Sequence, residues 1–190
     1  MVSWKELLAE ELQTIKSRHK LKSYHAFIYW YVKATENLED RAIHDCLMDG
    51  ANDGSSDVVL VDHNPEFLTA LIELLGHFTG VNVVGSASSG KEGIDCAGEL
   101  DADLVFVDLN MPDMSGFDVA EKLHALHPWM RVVIISLHDE MEYRQRAAEV
   151  CAEAFICKYN LFLALPEIVS RRCRRVHQSQ KSQAVLCDVF

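Results

Sequence analysis

Five short runs of apolar, largely β-branched residues constrain the fold of this chain more than any other feature. They are VVLV at 58–61, VNVVG at 81–85, DLVFV at 103–107, RVVII at 131–135 and AFIC at 154–157. Helix-length stretches begin between and after them, near Pro65, Gly90, Ser115, Asp139 and Leu161. Apolar strands that alternate with helices are typical of a parallel sheet covered on both faces. The sequence therefore predicts an α/β fold with a five-stranded parallel sheet.

The segment before these runs has a different pattern. Its apolar residues recur at helical spacing and predict two helices, over about 3–20 and 23–47, ahead of the small polar stretch DGANDGSSD at 49–57. We therefore expect a helical extension at 1–50, a linker at 51–56, the α/β domain at 57–176 and a tail at 177–190. The second helix carries an apolar stripe that predicts burial, either on the chain's own α/β domain or in a homodimer. Its members are Tyr24, Phe27, Ile28, Trp30 and Tyr31.

Charge and composition limit the classes of partner. The net charge of −11 argues against nucleic acid or an anionic membrane as a general partner. The run AFIYWYV at 26–32 is much shorter than the roughly 20 residues that cross a membrane. The six cysteines form no CxxC pair, and the N-terminus is unlike a signal peptide. We expect a cytoplasmic protein. The basic stretch RRCRRVHQSQK at 171–181 is read as a solvated helix end rather than a phosphate-contacting patch.

The stretch GSASSGKE at 85–92 resembles a phosphate-binding loop, because it follows an apolar run and precedes a helix. A nucleotide site of that kind needs Ser or Thr after the lysine to bind Mg²⁺. Glu92 stands there instead, and its carboxylate would repel the phosphates. We interpret the stretch as a helix start, with Ser88 or Ser89 as the N-cap.

Polar residues follow four of the five predicted strands, where ligands bind in parallel sheets. They are Asp62 with His63, then Asp108, Ser136 and Lys158. Each residue type alone is common after a strand, but together they suit a carboxylate that takes a phosphoryl group. Asp108 would attack, a divalent cation held with Asp62 would neutralise charge, and Ser136 and Lys158 would bind the phosphoryl oxygens.

Four segments resemble the response-regulator receiver domains of two-component signalling. They are VVLVDHNP, DLVFVDLNMPDMSGFD, VVIISLHDE and AFICK, in the order and spacing of that family, over about residues 57–175. The resemblance implies a flavodoxin-like receiver fold in which Asp108 is the phospho-acceptor. It also makes Ser136 the switch hydroxyl, Lys158 the phosphate-binding lysine and Phe155 the aromatic switch residue.

The resemblance also implies a cofactor and partners. Mg²⁺ would be bound by Asp62, Asp108 and the backbone carbonyl of Asn110. The phosphoryl donor would be a sensor histidine kinase or a phosphotransfer protein, and an unidentified downstream protein would bind the switched surface. The chain would be a phosphoryl acceptor and not an enzyme. A hydrolase of the dehalogenase type is disfavoured, because it needs an aspartate at position 110.

The chain departs from the family at several positions. His63 replaces the second acid after the first strand, and imidazole is a poor ligand for Mg²⁺. Three readings follow: weakened phosphorylation, a transition-metal site of Asp62, His63, Asp108 and His138 for Mn²⁺ or Zn²⁺, or a pseudo-receiver acting through constitutive protein binding or dimerisation. Cys151 stands where a glycine usually ends the fourth helix.

The stretch SLHDE at 136–140 resembles the receivers of helix-turn-helix transcription regulators. About thirty residues follow Lys158, and a fifth helix over roughly 161–176 would use most of them. We therefore expect no DNA-binding module after the receiver.

Overall fold

Strands and helices alternate through the described part of the chain. The structure is a computed structural model and describes residues 55–171. Its elements are β1 (Ser56–Val61), α1 (Pro65–Leu75), β2 (Val81–Ala87), α2 (Gly90–Glu99), β3 (Leu104–Asp108), α3 (Gly116–Leu126), β4 (Arg131–Ser136), α4 (Met141–Glu149), β5 (Ala154–Cys157), a 3₁₀ turn (Lys158–Asn160) and α5 (Leu161–Ser170). The predicted α/β alternation is confirmed. The predicted helical pair, most of the linker and the C-terminal tail lie outside the described residues.

All five strands are parallel and lie in the order β2-β1-β3-β4-β5. The order of the strands reverses direction between β1 and β3. At such a switch point, parallel sheets open a ligand-binding crevice. The register aligns the strand ends: Val61 lies beside Val107, Asp108 beside Ile135, and Ser136 beside Cys157. Residues at or just after these strand ends therefore meet at one edge of the sheet.

Helices cover both faces of the sheet, as expected. On β1, Val58 and Leu60 pack against α1 and α5, whereas Val59 and Val61 belong to the core formed with α2, α3 and α4. This alternation follows from the two-residue period of a strand. β3 is buried along its whole length, which explains its continuous apolar sequence. None of the helices between residues 55 and 171 is long and apolar enough to span a membrane.

Local sequence signals explain where two helices begin. Asn64 caps α1 by accepting hydrogen bonds from the Glu66 and Phe67 amides, and Pro65 follows it at the first helical position. Ser89 caps α2 by accepting from the Glu92 amide, which confirms the interpretation of GSASSGKE as a helix start.

The predicted end of α5 near Val176 is wrong, because the helix ends at Ser170. Arg131 at the start of β4 donates hydrogen bonds of 2.6 Å to the carbonyls of both Ile168 and Arg171. Its guanidinium is also paired with Glu153, at 2.5 and 2.8 Å. The backbone turns extended at Arg171. Arg131 thus satisfies carbonyls at the helix end, and helical periodicity contains no sign of this tertiary contact.

Cys151 adopts the left-handed conformation that a glycine usually supplies, with φ of 57°. Its amide donates to the Ala148 carbonyl, and the Ala152 amide donates to the Ala147 carbonyl. These two bonds form the Schellman motif at the end of α4. A side chain in this conformation costs roughly 1–2 kcal/mol relative to glycine.

Candidate functional site

The four polar residues predicted to converge lie together at the carboxyl edge of the sheet. Asp108 and Ser136 are the last residues of β3 and β4, while Asp62 follows β1 and Lys158 follows β5. All four are at most 6% exposed. Charged groups are rarely buried to this degree unless they are paired, so their mutual contacts define the site.

The ammonium of Lys158 lies between the two carboxylates. Its Nζ is 2.5 Å from Oδ2 of Asp62 and 3.0 Å from Oδ1 of Asp108. Nζ also lies 4.2 Å from the centroid of the Phe67 ring, a cation–π distance. Phe67 was not predicted as a site residue, since its sequence position marks it only as part of the apolar face of α1. The buried lysine therefore holds both carboxylates in place through one oxygen each.

The other oxygen of each carboxylate lies near His63. Nδ1 of His63 is 3.1 Å from Oδ2 of Asp108 and 3.9 Å from Oδ1 of Asp62. Oδ1 of Asp62 also accepts a 2.9 Å hydrogen bond from the Asn64 amide. The ligand atoms of Asp62, His63 and Asp108 all lie within 4.8 Å of one another. The two carboxylates fit a divalent cation, whereas the third group offers a nitrogen in place of the oxygen that Mg²⁺ prefers.

Burial raises the pKa of Asp62 above its usual value, because the charged carboxylate is removed from water. The Lys158 ammonium opposes that rise, and the negative charge of Asp108 adds to it. Asp62 lies beside a second buried acid, Asp108, so a nearby positive charge is needed to keep its carboxylate ionised. The site therefore suits positive charge, whether from Lys158 or from a bound metal ion.

An open cleft of about 610 Å³ adjoins the site at His63. His63 lines one side, and the loop after β3, including Asn110 and Met114, lines another. Asn110, whose carbonyl was predicted as a metal ligand, is exposed in this loop. His63 is also accessible, with half of its side chain exposed.

Asp113 of the same loop holds the N-terminus of α2. Its carboxylate oxygens accept 2.9 Å hydrogen bonds from the amides of Gly90 and Lys91. These amide bonds, that from Gly90 first, lower the pKa of Asp113 below its usual value. The helix start that resembled a phosphate loop thus binds an anion supplied by the chain itself. Sequence reasoning missed Asp113, because nothing in the motif indicates which helix its carboxylate contacts.

Ser136 is fully buried, and its hydroxyl accepts a 3.1 Å hydrogen bond from the His138 amide. The His138 side chain lies 3.3 Å from Glu140 and packs edge-on against Tyr143. It is absent from the cluster of Asp62, His63 and Asp108 that the described residues form. The structure therefore does not bring His138, the optional fourth ligand of the transition-metal alternative, to the other three groups, because local contacts just before and within α4 hold its ring elsewhere.

Phe155 lies in β5 and is 8% exposed. Its ring stacks on Tyr143 at 6.3 Å between centroids, and the Arg144 guanidinium lies 5.7 Å from its centroid. Arg144 also donates to the Phe155 carbonyl at 3.2 Å. Phe155 is thus connected to α4 by side-chain and backbone contacts. Leu137, which follows Ser136, is half exposed.

Known proteins match the part of the chain that forms this fold. The family model described as the response regulator receiver domain matches residues 58–169. The nitrate/nitrite response regulator protein NarL of Escherichia coli is 32% identical over 108 residues, which cover 57% of this chain and 50% of that protein. The response regulator GacA of Pseudomonas viridiflava is 32% identical over 101 residues, covering 53% and 47% of the two chains. The chain therefore spans about half the length of these curated relatives.

A solved structure supports the same assignment. The signal receiver domain of the NarL protein from Mycobacterium tuberculosis superposes with a TM-score of 0.57 at 28% identity, covering 63% of this chain and 99% of that one. The parallel sheet, the acid–lysine cluster at its carboxyl edge and the family match agree. This chain belongs to the response regulator receiver domain family of two-component signalling.

Proposed function

We propose that Asp108 accepts a phosphoryl group from a sensor histidine kinase or a phosphotransfer protein, and that the chain acts as a phosphorylation-dependent switch. One observation carries this proposal: Lys158 binds Oδ1 of Asp108 at 3.0 Å, while Oδ2 faces the exposed side chain of His63. The carboxylate is thus oriented by one oxygen and has the other on the accessible side. Receiver domains in general are phosphoryl acceptors without an enzymatic activity of their own, which agrees with this role.

The transfer forms a bond between one carboxylate oxygen of Asp108 and phosphorus, and it breaks the bond between phosphorus and the imidazole nitrogen of the donor. Lys158 remains ion-paired to the acceptor and binds the phosphoryl oxygens as they approach. Asp62 and Asp108 would hold a divalent cation, which would neutralise the charge on those oxygens.

The switch would use the groups that lie around Asp108 at the strand ends. The Ser136 hydroxyl accepts from the His138 amide and would donate its proton to the phosphoryl group while it keeps that bond, which would draw the segment before α4 toward the site. Phe155, stacked on Tyr143 of α4, then changes its packing. New charge-assisted hydrogen bonds of this kind bias a two-state surface. The downstream partner would bind the surface of α4, β5 and α5.

A second candidate function rests on His63. Its Nδ1 lies 3.1 Å from Oδ2 of Asp108, and His63 stands where a metal-binding acid is usual. In this alternative the chain is a pseudo-receiver, which binds a partner or a second copy constitutively and takes no phosphoryl group.

Intact-mass spectrometry after incubation with acetyl phosphate separates the two functions. The wild-type chain is treated with Mg²⁺ and, separately, with Mn²⁺, beside Asp108→Asn and the exposed-surface control Asp95→Asn. The switch predicts one phosphoryl adduct that disappears only in Asp108→Asn. No adduct with either ion, together with an adduct in His63→Asp, would instead identify a pseudo-receiver blocked at His63. An adduct that persists in Asp108→Asn would overturn the assignment of the acceptor.

A further inference from the structure

The oxygens of the two buried carboxylates are divided between two sides of the site. Lys158 takes Oδ2 of Asp62 and Oδ1 of Asp108. Oδ1 of Asp62 and Oδ2 of Asp108 remain on the other side, where Nδ1 of His63 approaches both. One oxygen of each acid therefore lies on the side of the imidazole, where the two oxygens and the imidazole nitrogen could bind the same metal ion.

We propose that Asp62, His63 and Asp108 form a site for a first-row transition-metal ion of the Mn²⁺ or Co²⁺ class, in preference to Mg²⁺. Metal–ligand bonds of about 2.1 Å place neighbouring ligand atoms roughly 3–3.4 Å apart. The distance of 3.1 Å from Nδ1 to Oδ2 of Asp108 meets this condition, an inward movement of His63 would shorten the 3.9 Å to Oδ1 of Asp62, and all three ligand atoms lie within 4.8 Å of one another. His63 is half exposed, so its side chain can make that movement without disturbing the core.

The chemistry of the donors sets the preference. Imidazole nitrogen suits transition metals, whereas Mg²⁺ selects oxygen and releases its own water reluctantly. Replacing an acid by neutral imidazole also removes one negative charge, which weakens the attraction of a hard ion that is held mainly by charge. Lys158 further reduces the net charge of the pocket. Mg²⁺ therefore loses more affinity than an ion that forms a strong bond to nitrogen.

This inference deepens the proposed function, because the metal ion at the site would decide whether Asp108 is phosphorylated. Only this consequence rests on the proposed function. Metal binding itself is measured without any phosphoryl donor. A failure of phosphoryl transfer and a failure of metal selectivity are therefore distinguishable.

Isothermal titration calorimetry on the metal-stripped, full-length chain tests the proposal with Mn²⁺ and Mg²⁺ as probes. Absorption of bound Co²⁺ reports in parallel whether nitrogen is a ligand. The variants are His63→Ala, His63→Asp and the control His138→Ala, whose histidine is equally exposed but lies outside the cluster. Asp62→Asn shows whether the binding heat and the Co²⁺ absorption arise at this site or at cysteines and histidines elsewhere in the chain.

We expect the wild type to bind Mn²⁺ about 100-fold more tightly than Mg²⁺, and His63→Ala to lose about tenfold or more for Mn²⁺ and Co²⁺ with little change for Mg²⁺. His63→Asp should tighten Mg²⁺ and narrow the preference, and His138→Ala should match the wild type. The proposal is overturned if Mg²⁺ binds as tightly as Mn²⁺ in the wild type. It is equally overturned if His63→Ala leaves Mn²⁺ affinity and the Co²⁺ spectrum unchanged, or if the signal survives in Asp62→Asn.

Discussion

Replacing Lys158 by methionine isolates the electrostatic balance of the site. Methionine retains much of the apolar stem but removes the ammonium from between two carboxylates whose side chains are only 1% and 4% exposed. Two adjacent buried carboxylates without a cation cannot both remain ionised, so the folded variant must take up a proton. Asp62 is the group that takes it, because burial already raises its pKa.

The cost follows from that proton. An aspartate with an ordinary pKa of 3.8 has to be protonated in the folded state at pH 7, about 3 pH units above that value. At 1.36 kcal/mol per unit, the free energy of unfolding falls by about 4 kcal/mol, within the range of roughly 3–5 kcal/mol for breaking a buried ion pair. The folded variant binds more protons than the unfolded chain, so its stability rises as the pH falls. At pH 5 the loss should shrink to about 2 kcal/mol.

Urea denaturation followed by circular dichroism in the presence of EDTA measures this effect at pH 7 and pH 5. Lys122→Met removes an exposed lysine from α3 and serves as the matched control, with an expected change within about 0.5 kcal/mol. The reasoning fails if Lys158→Met loses less than about 1 kcal/mol at pH 7, or if its loss is the same at both pH values. Either result would mean that the two carboxylates are not held charged by Lys158.

Three further substitutions test other contacts. Gly116→Ala should destabilise the fold by about 1–3 kcal/mol in thermal denaturation, although alanine usually favours a helix, because its Cβ would lie 2.5 Å from the backbone oxygen of Asp108; a stabilised variant would contradict this clash. Arg131→Met leaves Glu153 without its closest cation and uncaps the end of α5, so urea denaturation should show a loss of about 2–4 kcal/mol, and a loss confined to surface values would refute the capping role. Asp113→Asn should destabilise the chain at pH 7. Since the folded pKa of Asp113 is lowered, the difference from wild type should vanish as the pH falls below 3.8 toward that folded pKa, and an unchanged difference at low pH would argue against the amide bonds.

Local sequence patterns were sufficient for the number of strands, their positions along the chain and several helix starts. β3 could be recognised because a strand buried on both faces reads as a continuous apolar run. Asn64-Pro65 and Ser89 mark helix starts because capping depends on neighbouring residues alone. The end of α5 could not be predicted in the same way, because Arg131 satisfies its carbonyls from forty residues away.

For the site, the sequence by itself determined which chemical groups meet: in a parallel sheet the carboxyl ends of the strands share one edge, so Asp62, Asp108, Ser136 and Lys158 had to lie near one another. Only the tertiary structure decided which carboxylate oxygens lie near Lys158 and which lie near His63. Lys158 contacts one oxygen of each acid, and His63 faces the other two, because side-chain packing selects these contacts. The same packing holds His138 against Tyr143 and away from the cluster. Hydrogen-bond and charge contacts act over a few ångströms, and residues far apart along the chain reach that range only after folding.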